Sequence, residues 1–277
     1  MKLGKLTILF ILIFISLSGN DELENQYKFA NQLFNDAKYY EAITEFKRLH
    51  FFDNENKYSF EVNYKIGIAY KYGGYYQNAI EHLSKAKIES KTAEEDIEST
   101  FQIIRVNILR RTTERALQLL NQSENDSIFE NHKEEINYWR GWSYMLADSW
   151  DLAAQSFSQI SEDHELKTLC EQVNNDKYSV TFATVISYIL PGAGQFYTGN
   201  YFSGFMSLAW NVLWGYLAIN SFMEERVFDG AAIGSLLWLR FYRGNIQNAG
   251  KFAQAEDIEI ANKALYYLME NYKGEKP

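Results

Sequence analysis

The sequence predicts an all-α chain: a solenoid of four helical-hairpin repeats, then a membrane-associated helical hairpin, then a closing amphipathic helix. Three observations lead there. Only two prolines occur, Pro191 and Pro277, so nearly every stretch is free to be helical, because a helix interior excludes a residue that lacks an N–H. A set of small and large apolar residues recurs every 37 residues through the first half. Residues 178–223 hold no Asp, Glu, Lys, Arg or His, in a chain that is 23% charged. The expected divisions are a signal segment over 1–18, repeats over 19–172, a membrane hairpin over 173–254 and the amphipathic helix over 255–277.

Composition sets the outer limits. With 47% hydrophobic and 16% aromatic residues the chain can bury a core, which argues against global disorder. A formal charge of -9 argues against nucleic acid as a partner, since Lys and Arg must face phosphates there. The lone Cys170 allows no internal disulfide and no thiolate zinc site. The first residues look like an address: Lys2 and Lys5, an apolar run over 6–17 too short to span a bilayer, then the small residues Ser16, Ser18 and Gly19. The expectation is a signal peptide cut near Ser18, or an uncleaved anchor, and either exports the remainder of the chain. No cysteine comes after the run, so lipid attachment to a thiol there is not expected.

The period gives the repeats their shape. Ala42, Ala79, Ala116 and Ala153 stand 37 apart, each followed four residues later by Phe46, Leu83, Leu120 or Phe157. Tyr39, Tyr76, Thr113 and Trp150 precede them by three. Ala30, Gly67 and Gly141 keep the same step, with Ile104 as the bulky member. Small residues let two helices approach, and Tyr70 and Tyr144 fill the adjoining space, so each unit reads as a helical hairpin. These residues resemble tetratricopeptide repeats, whose first helix bears Leu-Gly-x-x-Tyr and whose second bears Tyr-x-x-Ala-x-x-x-Phe. Ile66, Gly67, Tyr70, Tyr76, Ala79 and Leu83 match best, and Gly141, Tyr144, Trp150, Ala153 and Phe157 nearly as well. Leu33, Ile104 and Asn107 depart from the pattern, the period is longer than the usual 34, and no turn proline is present. The resemblance covers about residues 22 to 165.

Two further columns share the period. Glu24, Glu61, Glu98 and Glu135 form one, and Tyr27, Tyr64, Phe101 and Tyr138 follow each by three residues, on the same helix face. In proteins with repeats of this kind the first helices line the concave side, so the resemblance makes these eight residues candidates for contact with a protein or peptide partner. Rings would supply area and acids orientation, which would suit an extended peptide of basic or amphipathic character. The same residues fall on stripes such as Leu23, Tyr27, Ala30 and Phe34, which ordinarily face a core and pack one repeat on the next. Both readings stand at this level.

The uncharged stretch predicts membrane contact over residues 178–243. Residues 202–222 are long enough to cross a hydrocarbon core, a second apolar segment runs over 230–242, and Glu224, Glu225, Arg226 and Asp229 between them require water. A first piece over 178–190 should end before Pro191. Pro191, Gly192, Gly194, Gln195, Tyr197 and Gly199 then form a turn, with Tyr197 and Tyr201 expected at the interface between apolar helices. No strand precedes these glycines and no Lys-Ser/Thr pair comes after them, which argues against a phosphate loop. The segment resembles short hairpin modules of bacterial and other membrane proteins with a Pro-Gly-x-Gly-Gln-x-Tyr-x-Gly turn. Tyr242, Gly244 and Asn245 resemble the Tyr-x-Gly-Asn group that closes such a module after helical repeats. Gly230 and Gly234 suit helix contact, Asn211 needs a hydrogen-bond partner such as a backbone carbonyl or Asn220, and Arg240 and Arg243 would reach headgroups. Ile258, Ala261, Leu265, Leu268 and Tyr272 share one face of the closing helix.

No cofactor, metal site or catalytic set is expected. His50, His82, His132 and His164 lack ligand spacing and read as solvated positions near helix ends, Cys170 as packing, and no nucleophile elbow occurs. The sequence therefore predicts a non-enzymatic scaffold exported to the bacterial cell envelope and attached to a membrane, with a protein or peptide as partner. The alternative is a subunit of a membrane transport or secretion assembly in which the hairpin is the working part. The export signal places the repeats in the periplasm, whereas the basic flanks Lys177, Arg243 and Lys251 against the acidic loop 224–229 would place them in the cytoplasm. The signal decides the expectation, because acids contribute little to orientation.

Overall fold

The computed structural model describes residues 22–277; the signal segment expected over 1–18 lies outside the described residues. Those residues are all-helical, with no strand among them. The chain divides into two compact units, one ending at Lys167 and also containing Glu275–Pro277, the other running from Thr168 to Gly274.

In the first unit the helices run in chain order: α1 (22–35), α2 (Tyr39–Phe52), α3 (Ser59–Tyr72), α4 (Tyr76–Glu89), α5 (Ala93–Leu109), α6 (Thr113–Glu124), a 3-10 turn (Ser127–His132), α7 (Lys133–Leu146) and α8 (Trp150–Ser158). From α2 to α8, each helix packs on its successor. The alanine column and the large apolar column four residues beyond it are both 0% exposed at all four repeats. Burying them removes a methyl-to-phenyl-sized surface per repeat from water, on the order of 2 kcal/mol for each large side chain.

The hairpin turns repeat as faithfully as the core. Ala37, Gly74, Arg111 and Asp148, 37 apart, all take left-handed backbone conformations, with φ of 58°, 75°, 63° and 62°. The residue after each, Lys38, Tyr75, Thr112 or Ser149, has ψ between 57° and 69°. Its N–H donates back five residues to the carbonyl of Leu33, Tyr70, Asn107 or Tyr144 at 2.9–3.0 Å. That bond ties the freed carbonyl at the end of one helix and sets the next antiparallel to it. Asn107, which departs from the aromatic pattern, secures its own turn: its side-chain oxygen accepts from the Thr112 hydroxyl at 2.9 Å. An alanine in this conformation crowds its Cβ, so Ala37→Gly is expected to raise the first unit's stability by about 0.5 kcal/mol and Gly74→Ala to lower it by about 1 kcal/mol, read from urea midpoints.

Connections between repeats are less regular. The buried Asp53 carboxylate accepts from the backbone N–H groups of Lys57 and Tyr58, at 3.0 and 2.7 Å, and so closes the loop before α3. Thr92 and Glu95 form a reciprocal capping box at the start of α5.

The second unit contains most of α9 (Glu165–Asp176), then α10 (Val180–Ile189), the short α11 (Ala193–Tyr197), α12 (Tyr201–Met223), α13 (Val227–Ala232), a π-helical turn (Ile233–Trp238) and α14 (Leu239–Asn271). The left-handed turn recurs: Gly199 and Glu225 take φ of 76° and 60°, and Asn200 and Arg226 donate back to Gln195 and Ser221 at 2.8 and 2.9 Å. α12 pairs with α13 and the π turn, and α10 with α14. Gly230 permits the first of these approaches, since a Cβ there would lie 2.9 Å from the Phe222 ring. α14 runs on without a break, so the amphipathic stretch beyond 254 is its continuation. Asn245, Ile246, Ala249, Ala253, Ala261, Ala264 and Leu268 are its buried side chains, while Ile258 is 59% exposed.

α12 is the one described helix long and apolar enough to cross a membrane, judged by length and composition, and only 17% of its most apolar window is buried. Phe202, Phe205, Val212, Tyr216 and Ile219 along it are exposed, as are Val185 and Ile189 on α10.

Candidate functional site

The candidate groove lies on the face formed by the first helices of the repeats, α3, α5 and α7. A pocket of about 350 Å³ opens there, lined by Phe34, Tyr64, Lys71, Gln102, Arg105 and Glu275 among others. Lys71 comes from the last turn of α3, and its ammonium donates to Gln102 Oε1 at 3.2 Å. Burial, with the Arg105 charge beside it, pushes its pKa down to about 7, and the Glu275 carboxylate pulls the other way. The Arg105 guanidinium lies over the Trp139 ring, 4.6 Å from its centroid. It ion-pairs with Glu275 and donates to the Lys276 carbonyl at 2.7 Å. The Tyr138 hydroxyl donates to the Glu275 carbonyl.

The eight column residues divide between groove and core. Tyr64 and Glu98 are joined directly, hydroxyl to carboxylate at 2.6 Å, and burial together with that acid raises the phenol's pKa. Tyr138 also faces the groove. Tyr27 instead stacks on Tyr58 at 4.9 Å, and Phe101 is buried edge-on against Phe129 at 5.5 Å, so these two rings pack repeat against repeat. Glu24 pairs with Lys28 on the surface at 2.7 Å. Glu135 accepts from the Trp139 indole at 3.2 Å. Glu61 keeps one buried oxygen without a hydrogen bond. Tyr27 and Phe101 therefore pack between repeats, whereas Tyr64 and Tyr138 stand at the groove.

Sequence reasoning missed Gln102 and Arg105, and it places Lys71 only on a stripe with Phe60, Tyr64 and Gly67 of the kind that ordinarily faces a core. Lys71 and Arg105 are 34 apart, so a search at a period of 37 does not align them. Their signal was i+7 spacing, Tyr64 to Lys71 and Glu98 to Arg105, two turns along the same face.

The second candidate is the turn at Pro191. α10 ends there because proline has no N–H to offer the Ser187 carbonyl. Asn245 supplies the missing donor: its Nδ2 reaches Ser187 O at 3.1 Å, and its Oδ1 accepts from Gly192 N at 2.8 Å. The Tyr242 hydroxyl does the same for the next carbonyl, Tyr188 O, at 2.7 Å. Gln195, fully buried, donates to Asn245 O at 3.0 Å and Ser207 Oγ at 3.3 Å, leaving its own Oε1 without a partner. Gly194 is required by space, since a Cβ would sit 2.3 Å from Ala183 O and 2.6 Å from Ala249 Cβ. Tyr197 accepts from Ser179 N at 3.2 Å and meets Tyr178 and Phe182 edge-on. Tyr201, expected beside it at the interface, is instead 69% exposed at the first turn of α12. Asn211 donates to Ser207 O at 2.7 Å, and its Oδ1 is buried without a partner.

Two histidines depart from the solvated reading. His82 lies mid-helix on α4, bonded to Asn63 Oδ1 at 2.9 Å and stacked on Tyr70, and burial lowers its pKa to about 4. His164 stacks on Phe157 at 5.0 Å, and burial lowers its pKa as well. Burial pushes the Cys170 thiol up to about 12, the opposite of nucleophile activation. Among the described residues no three His, Cys, Asp or Glu are placed to hold a metal.

No protein-family model matches the chain, and neither a curated protein nor a solved structure matches it.

Proposed function

We propose that this chain is an exported, membrane-attached scaffold of tetratricopeptide-like repeats that holds an extended segment of a partner protein along the groove of α3, α5 and α7. The observation that carries this reading is the groove's chemistry: Tyr138 and Arg105 set a hydroxyl and a guanidinium on main-chain carbonyls beside Trp139, next to the Tyr64–Glu98 pair, a mixture suited to gripping main chain rather than to filling a core. The left-handed turns 37 residues apart support the repeat reading. The exposed apolar side chains of α10 and α12 support attachment to a bilayer, since a soluble surface rarely leaves so many together. Export, and a periplasmic position of the repeats, rest on the first eighteen residues of the sequence.

Site-directed photocrosslinking in native membranes tests the groove. Benzoylphenylalanine at Tyr72, on the pocket rim, should give one discrete adduct, and at Tyr40 on α2 none. The combined Tyr64→Ala and Tyr138→Ala substitutions should reduce that adduct at least tenfold. Lower thermal stability with an undiminished adduct would assign the rings to packing and end the groove reading. Release of the protein by an alkaline carbonate wash would end the attachment reading.

A second reading, a subunit of a transport or secretion assembly, draws on an apolar cleft of about 430 Å³ lined by Gly215, Ala218, Gly230, Gly234 and Trp238. Small residues of that kind admit another helix. An adduct from Ile219 and not from Tyr72 would favour it.

A further inference from the structure

We infer that the groove is selective for an extended segment that presents a carboxylate, and that residues Glu275–Pro277 occupy it as a tethered competitor which a partner must displace. The inference deepens the scaffold reading and rests on it. It starts from a charge imbalance: Lys71 and Arg105 stand side by side, Lys71 nearly buried and the Arg105 side chain mostly so, and neighbouring buried cations are costly unless an anion joins them. Glu98, the nearest acid of the wall, already accepts from Tyr64. The carboxylate that faces Arg105 is Glu275, from the segment lying in the groove. At the groove's centre the cations thus reverse the sign suggested by the acidic column.

The remaining contacts read main chain. Tyr138 takes the carbonyl of Glu275 and Arg105 takes that of Lys276, so two successive carbonyls and one acidic side chain are recognised together. Lys276 precedes a proline, which holds it extended and reduces the ordering needed on binding. The grip is weak enough to yield, because the Glu275 side chain remains 59% exposed. Helix α14 stops at Asn271 and Tyr272 leaves helical conformation, so the segment is held by a short non-helical tether. A tether of this kind gives an effective concentration of about a millimolar, against which a free partner must compete.

The test uses the full chain in detergent and, as probe, a fluorescein-labelled peptide Tyr-Lys-Gly-Glu-Lys-Pro, read by anisotropy. Disabling the resident segment by replacing Glu275, Lys276 and Pro277 with glycine is expected to tighten peptide binding about tenfold, by freeing the competent groove. On that variant, a peptide with Lys in place of Glu should bind at least tenfold more weakly, a comparison that cannot be confused with protein misfolding. Arg105→Met, with helicity unchanged by circular dichroism, should erase most of the difference between the two peptides, since Arg105 holds the carboxylate. Equal binding of the two peptides, no gain on replacing residues 275–277, or no binding at all would each overturn the inference. The Tyr72 adduct is read without regard to peptide charge, so its survival beside any of these results would leave the scaffold reading standing.

Discussion

Asn245→Ala should cost the second unit about 3 kcal/mol or more and blur its side-chain packing while leaving helix content nearly intact. The substitution strips partners from two groups at once, the Ser187 carbonyl, which Pro191 cannot serve, and the Gly192 N–H, and it removes one acceptor of the Gln195 amide, which keeps the Asn245 carbonyl and Ser207 Oγ. Each buried polar group left unpaired costs about 1–3 kcal/mol, and water cannot repair the loss where Gln195 and Asn245 are almost fully covered. The measurement should be near-ultraviolet circular dichroism in detergent, since Trp210, Trp214 and Trp238 report on this unit. Trp210 and Trp214 both stack on Phe241, four residues before Asn245, at 5.7 and 6.3 Å. Asn245→Asp keeps an acceptor for Gly192 but loses the donor to Ser187, so an intermediate loss is expected. A wild-type spectrum and unchanged melting for Asn245→Ala would show that the turn is held by packing alone.

Gly141→Ala is expected to destabilise the first unit by about 2 kcal/mol, although alanine is the better helix former by about 1 kcal/mol. The added methyl would lie 2.4–2.7 Å from three atoms at the tip of the Phe157 ring. That ring cannot swing away: it is fully buried, stacked on His164 and edge-on to Tyr138 at 6.0 Å. The equivalent Gly67→Ala should cost a comparable amount, because its methyl would lie 2.6 Å from the fully buried Leu83 side chain and 3.1 Å from the Leu83 backbone nitrogen. Urea unfolding of Gly141→Ala, Phe157→Leu and the pair decides the mechanism. The pair should be less damaged than the sum of the singles, since the smaller side chain makes room for the methyl. Additive losses would mean that the glycine is not there to avoid the clash.

Much of the fold could be read from the sequence because its determinants are periodic. Ala42 and its equivalents recur with the helix pair itself, and exclusion of bulk at Gly67 and Gly141 leaves a visible mark. The turns were illegible for a different reason. Only Gly74 announces a left-handed residue, while Ala37, Arg111 and Asp148 are held in that conformation by the hydrogen bond of the next residue, a local preference overridden by tertiary packing. The groove was half legible: the rings of Tyr64 and Tyr138 stand on the columns, but Lys71 and Arg105 reach the same place from off the period on long side chains. In α14 the expected face is buried at Ala261 and Leu268 but not at Ile258, and Ala249, Ala253 and Ala264 are buried beside it, small side chains that suit close helix approach. His82 looked like a surface residue because nothing nearby in sequence reveals its bond to Asn63, nineteen residues earlier.

The left-handed turn at Ala37, Gly74, Arg111 and Asp148, with its echoes at Gly199 and Glu225, has a consequence for how such a chain can change length. Every hairpin ends on the same backbone geometry, so a stretch cut at two equivalent turn residues has interchangeable ends whatever side chains it contains. Duplication or loss of one such cassette would keep each junction in register and alter only how many rungs the groove contains.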